Sequence, residues 1–160
     1  MKDDLCRLIR EAFAGVKLGG GVGLQQAQGL DDHEDEQTCA RYRANDEKED
    51  WSRIPVEELN RCNSSLSFFD AEGMRFHLPA YLIADLRGLY HFGMAFSLTR
   101  LNDYSKSQFV LLSPVQRKAV RAFLLHILNE QDYEFDRPKI NKALNEYWID
   151  AVSVYDNRNT

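Results

Sequence analysis

Apolar residues at Leu5, Leu8, Ile9, Ala12, Phe13 and Val16 recur at steps of three and four, a spacing that sets them on one side of a helix. Asp3 and Asp4 suit its N-terminus, where carboxylates complement the dipole, and Gly15 or the run Gly19-Gly20-Gly21 ends it. A second helix is expected from Leu24 to about Tyr42, with a break or fray in its acidic middle. Ala44 to Asp50 holds no apolar side chain larger than alanine and reads as an exposed loop. Pro55 fits a first helical position, so a short helix is predicted from Val56 to about Arg61.

Ser67–Phe69 and Met74–His77 flank Asp70-Ala71-Glu72-Gly73. Gly73 can supply a positive φ and Asp70 can bond the backbone of a tight turn. Met74 and Phe76 alternate with Arg75 and His77, which predicts a short hairpin-like corner near residues 68–77. Pro79 then opens a helix through about Tyr90, with Gly88 and Gly93 marking its end or a close approach. Ser113-Pro114-Val115-Gln116 is a capping box with proline at the first helical position. The wide apolar face that follows (Val115, Ala119, Ala122, Phe123, Leu124, Ile127, Leu128) predicts that this helix is central. A last helix runs from Pro138 to about Ile149, and the tail Asp156–Thr160 is expected to fray.

These segments predict a mainly α, single-domain, bundle-like fold of five to seven helices over residues 1–155. Its core is drawn from Phe13, Phe69, Phe76, Leu82, Leu86, Phe123, Ile127 and Trp148. Composition agrees: 160 residues, 44% hydrophobic and 28% charged, is ordinary for a globular protein. No apolar run approaches a membrane span and the start does not resemble a signal peptide.

Charge is unevenly placed. Residues 1–60 carry 14 Asp/Glu against 8 Lys/Arg, while the remainder is nearly balanced. No concentrated basic face is visible, Arg117, Lys118 and Arg121 being too few, so nucleic acid is not expected as a partner. The acidic N-terminal part favours a cationic partner. Cys6, Cys39 and Cys62 are widely spaced and odd in number, which reads as buried thiols in a cytoplasmic protein.

The glycine run Gly19-Gly20-Gly21-Val22-Gly23 departs from both the dinucleotide and P-loop patterns, although a helix start beside it could bind an anion. Asp31-Asp32-His33-Glu34-Asp35-Glu36 is rich in carboxylates but lacks EF-hand alternation and the glycine that such a loop needs. His33, His77, His91 and His126 show no metal-ligand spacing, so no metal and no cofactor are expected. Asp70, Glu72, Arg75 and His77 lie within eight residues; lining a cleft they would form an acid–base set. Otherwise Asp70 bonds its own turn and Arg75 pairs with a carboxylate.

The stretch Leu66-Ser-Phe-Phe-Asp70-Ala-Glu-Gly73-Met-Arg-Phe-His-Leu-Pro79-Ala-Tyr-Leu82 resembles the signature of a bacterial domain-of-unknown-function family marked by D-x-E-G-[MF]-R-F-[HY]-L-P-A-Y. Glu11-Ala12-Phe13, Gly23-Leu24, Asp31-Asp32, Asp50-Trp51, Ile54-Pro55, Phe109, Leu112-Ser113 and Gln116 extend the likeness over most of the chain. The resemblance implies no reaction, ligand or partner. It does single out Asp32, Trp51, Asp70, Arg75 and Tyr81, beside Gly73 and Pro79. With His77, Asp32, Trp51, Asp70, Arg75 and Tyr81 are the candidate binding residues. The functional expectation is a small cytoplasmic protein-binding or accessory protein, one version being an immunity-type protein that neutralises a basic toxin. The alternative is a hydrolase using Asp32, Asp70, Arg75 and His77 around one cleft.

Overall fold

The structure, a computed structural model, describes residues 1–150; the expected fraying of the tail lies outside them. Among the described residues there are nine α-helices and no strand. They are α1 (Lys2–Ala12), α2 (Leu24–Asp31), α3 (Glu36–Asn45), α4 (Val56–Arg61), α5 (Ala71–Leu86), α6 (Ala95–Thr99), α7 (Asp103–Gln108), α8 (Pro114–Ile127) and α9 (Arg137–Glu146). Three 3₁₀ turns join them, at Trp51–Arg53, Asn63–Ser67 and Gln131–Asp136. All eight side chains expected in the core are buried. The count exceeds five to seven because the long second helix divides and because α6 and α7 are too short to show a period.

The division of α2 from α3 falls in the acidic segment. His33 takes a left-handed conformation (φ 58°), and its N–H and that of Glu34 reach back to Leu30 O and Gly29 O. This is a Schellman ending with histidine where glycine is usual. Asp35 then caps α3 by accepting from Thr38 N at 2.7 Å. Within the acidic segment Asp35 is thus helix punctuation.

The expected corner at residues 68–77 is absent. Asp70 is instead the N-cap of α5 and accepts from Gly73 N at 2.8 Å. An Asp followed three residues later by Gly is a signature shared by turns and helix starts, and burial decides between them. Twelve of the sixteen residues of α5 are buried, on every side of the helix, as befits an element at the centre of a core. Pro79 therefore lies inside α5 and does not open it; the burial outweighs a cost of about 3 kcal/mol for interior proline. Centrality passes from α8 to α5, which packs against α1, α4 and α7, and Val115 of α8 is exposed.

Helix α8 begins with the expected capping box: Ser113 Oγ accepts from Gln116 N and Gln116 Oε1 from Ser113 N. Its arginines serve α9. Arg117 donates to the Tyr147 carbonyl and hydroxyl, and Arg121 to Leu144 O and Trp148 O. The Arg117 guanidinium also lies 4.5 Å from the Tyr147 ring centroid and 4.9 Å from that of Trp148. Carbonyls left open at a helix C-terminus are thus satisfied by cations.

Candidate functional site: an acidic, aromatic cleft

The end of α5 builds one wall of a cleft of about 450 Å³. Gly88 (φ 70°) closes the helix: its N–H bonds Asp85 O and the Leu89 N–H bonds Ala84 O, a Schellman motif. The helix thus stops at Leu86, short of the expected Tyr90. Asn60 of α4 then clamps the segment beyond, donating to Leu89 O and accepting from His91 N, both at 2.9 Å. Gly93 (φ 70°) turns the chain into α6; a β-carbon there would stand 2.8 Å from the Tyr133 hydroxyl.

Asp85 lies in this wall. Its Oδ2 accepts from Met94 N at 2.9 Å and from the Tyr133 hydroxyl at 2.5 Å, and its Oδ1 has no protein partner among the described residues. Burial is the main cause that pushes the Asp85 carboxyl above its ordinary range, with the two hydrogen bonds pulling the other way. Burial and the adjacent carboxylate raise the Tyr133 phenol as well, so Tyr133 stays a donor.

Glu130, Asp132 and Asp136 bring three more carboxylates to the lining, against the single ammonium of Lys2. His126 is largely buried, with Nε2 3.2 Å from Glu130 Oε1. Tyr90, Phe92 and Tyr133 add aromatic surface; the Tyr90 and Phe92 centroids are 5.8 Å apart. Carboxylates beside ring faces suit a desolvated cation. No group of three His, Cys, Asp or Glu among the described residues is placed to hold a metal ion.

None of the six candidate binding residues lines this cleft. Trp51 is buried, with Nε1 donating to Phe13 O at 2.9 Å. Tyr81 is buried and donates to Cys62 O at 2.7 Å. His77, which the alternation would let face solvent, is sealed in the core and stacked 4.3 Å from Phe69. Its Nδ1 meets Gly73 O at 2.7 Å, its Nε2 has no partner, and burial holds its pKa down to about 4. Arg75 makes no ion pair with Asp70; its Nε is buried without a partner. Asp32 is exposed at the C-terminal end of α2 and accepts from Gln28 Nε2.

Asp70 sits at the other end of α2. Its Oδ1 accepts from Val22 N at 3.0 Å as well as from Gly73 N. The eight residues of α2 separate Asp32 from that point by about 12 Å at 1.5 Å per residue. Asp32 therefore stands apart from Asp70, with which the hydrolase alternative would group it. Much of the glycine run is bonded within the chain. Gly20 N donates to Glu72 Oε2 and Gly23 N to Gln26 Oε1, while the buried Asp46 carboxylate takes Gln25 N and Gln26 N. Arg43 binds the carbonyls of Gly19 and Gly21. Asp46 thereby corrects the expectation that Ala44–Asp50 is wholly exposed.

Sequence reasoning passed over Asp85, Tyr133 and Asn60, while the close approach expected at Gly93 is the one it makes to Tyr133. Asp85 did carry a signal, a lone carboxylate inside the apolar run Ala80-Tyr-Leu-Ile-Ala-Asp85-Leu86. Tyr133 and Asn60 act across 48 and 31 or 29 residues, and no local pattern announces them.

Fold and cleft define an all-helical protein in which one core carries a concave acidic surface. The chain belongs to a family of unknown function, DUF6714, whose model matches residues 1–152. No curated protein and no solved structure matches it. Among the described residues no helix is long and apolar enough to cross a membrane.

Proposed function

We propose that this is a cytoplasmic bacterial accessory protein that binds a basic segment of another protein in the cleft around Asp85. The observation that carries this reading is the Asp85 carboxylate, fixed through Oδ2 by Met94 N and Tyr133 and left with Oδ1 free in a cleft where carboxylates outnumber cations. A lysine or arginine side chain would gain a charge-assisted bond to Oδ1 and ring faces for its stem. An immunity-type role against a basic toxin is one form of the same reading. The three cysteines, all buried and unpaired, suit a reducing compartment. The hydrolase reading has less support, because the Asp70 carboxylate is engaged by backbone N–H groups and the His77 ring is out of reach of a substrate.

Calorimetry with capped peptides of alternating lysine and leucine, or glutamate and leucine, tests the proposal. Binding of the lysine peptide, weakened by salt and by Asp85→Asn, is expected. Equal binding of both peptides, or no effect of Asp85→Asn, would remove the cleft from consideration.

A further inference from the structure

A second concavity lies behind the same wall. Arg87 and Leu89 line it, while Gly88 and Tyr90 line the acidic cleft. Its apolar lining includes Trp51, Ile54, Leu59 and Ile83, all buried, and its volume is about 110 Å³. For scale, an apolar cavity of about 150 Å³ admits benzene, so this slot fits one aliphatic side chain. Trp51 is held in place by its bond to Phe13 O.

Two guanidinium groups stand at the slot, Arg10 from the last turn of α1 and Arg87 from the end of α5. Both residues are exposed, and neither side chain has a hydrogen bond, ion pair or ring contact with a described residue. Most other arginines are engaged: Arg43, Arg117, Arg121 and Arg137 on carbonyls, Arg7, Arg53 and Arg61 near carboxylates, Arg100 over Phe96. Within an acidic chain, two unengaged cations therefore converge on one apolar slot.

We propose that this slot docks an acidic linear segment of a partner protein, which inserts one leucine or isoleucine side chain and sets neighbouring carboxylates on Arg10 and Arg87. Charge complementarity selects that occupant. A basic segment would meet two guanidinium groups at the slot, and a wholly apolar one would leave them without partners. The inference stands apart from the acidic cleft, since it uses none of the charged residues there.

The test is titration of the full chain with a capped peptide that centres leucine between glutamates, followed by the amide and indole NMR signals. Saturable shifts at the Trp51 indole and at Ser52 and Leu89 are expected. The doubly charge-reversed variant, Arg10→Glu with Arg87→Glu, should bind about tenfold more weakly, and alanine in place of the peptide leucine should abolish binding. Should the reversed variant fail to fold, Arg10→Gln with Arg87→Gln serves the same comparison. The proposal is overturned if no saturable shift occurs, if a lysine-flanked leucine peptide binds equally, or if octanoate shifts these signals while the peptide does not.

Discussion

Gly21 and Gly73 meet backbone to backbone: a β-carbon built on Gly21 would stand 2.7 Å from the Gly73 nitrogen. One on Gly73 would stand 2.6 Å from Val22 O. Neither glycine has a positive φ, so the requirement is for close approach of two chain segments. Gly73→Ala should therefore destabilise the protein by about 1–3 kcal/mol, the usual range for overpacking. Urea unfolding measures this, and an unchanged midpoint would mean that the glycine loop yields freely.

The bonds at Asp70 make a separate expectation. Asp70→Asn keeps the Oδ1 acceptor for Gly73 N and Val22 N and should change stability little. Asp70→Ala removes it and should cost about 1–2 kcal/mol, as for other lost caps. Equal losses in the two variants, measured by thermal melts, would show that charge, not capping, matters there.

Acid should weaken the fold through His77. Its folded pKa is about 4 against 6.5 for the free side chain. Above the free value both states are neutral and the contribution to stability is complete. As the pH falls between the two values the unfolded chain takes up a proton that the folded chain refuses. Stability should drop by about 3 kcal/mol across that window and no further from this group below it. His77→Phe, which keeps an aromatic ring against Phe69, should flatten the profile of urea midpoint against pH; an unaltered slope would assign the acid sensitivity elsewhere.

At Asp85, burial opposes the charged form at neutral pH. Asp85→Asn retains an oxygen acceptor for Tyr133 and Met94 and should be at least as stable as the wild type at neutral pH. The sign follows from the raised folded pKa: the ionised carboxylate is penalised as the pH climbs past the free carboxylate range, and the penalty fades in acid. Greater stability together with lost binding would be the exchange expected of a functional group. A variant that unfolds at neutral pH would show Asp85 to be structural.

Arg117 and Arg121 finish the C-terminal end of α9. Arg117→Lys keeps the charge but loses the planar stack on Tyr147 and Trp148 and the forked donors. It should be destabilised nearly as much as Arg117→Ala, by about 1–2 kcal/mol. Near-ultraviolet circular dichroism of Trp148 and thermal melting read this; full rescue by lysine would reduce the interaction to charge alone.

Much of the helical framework was legible because helix period and capping chemistry are local. The Ser113–Gln116 box, the acidic break after α2 and the eight core residues follow from neighbours in sequence. The start of α5 misled because Asp70 and Gly73 make the same hydrogen bond at a turn and at a helix N-terminus, and only burial from every side separates them. The candidate site was illegible for a different reason. Asp85, Tyr133 and Asn60 gain meaning from contacts that the chain makes across many residues, whereas in the dense polar clusters near residues 31–36 and 70–77 Asp35 and Asp70 cap helices and His77 packs in the core.

The glycine loop before α2 bears on what this molecule responds to. Backbone N–H groups at a helix start ordinarily offer a ready site to an anion from solution. Here Asp70, Glu72 and Asp46, tethered by the chain itself, accept from Val22 N, Gly20 N, Gln25 N and Gln26 N, so the loop carries its own carboxylates. A nucleotide or phosphate arriving at that end would have to displace carboxylates that the chain itself supplies.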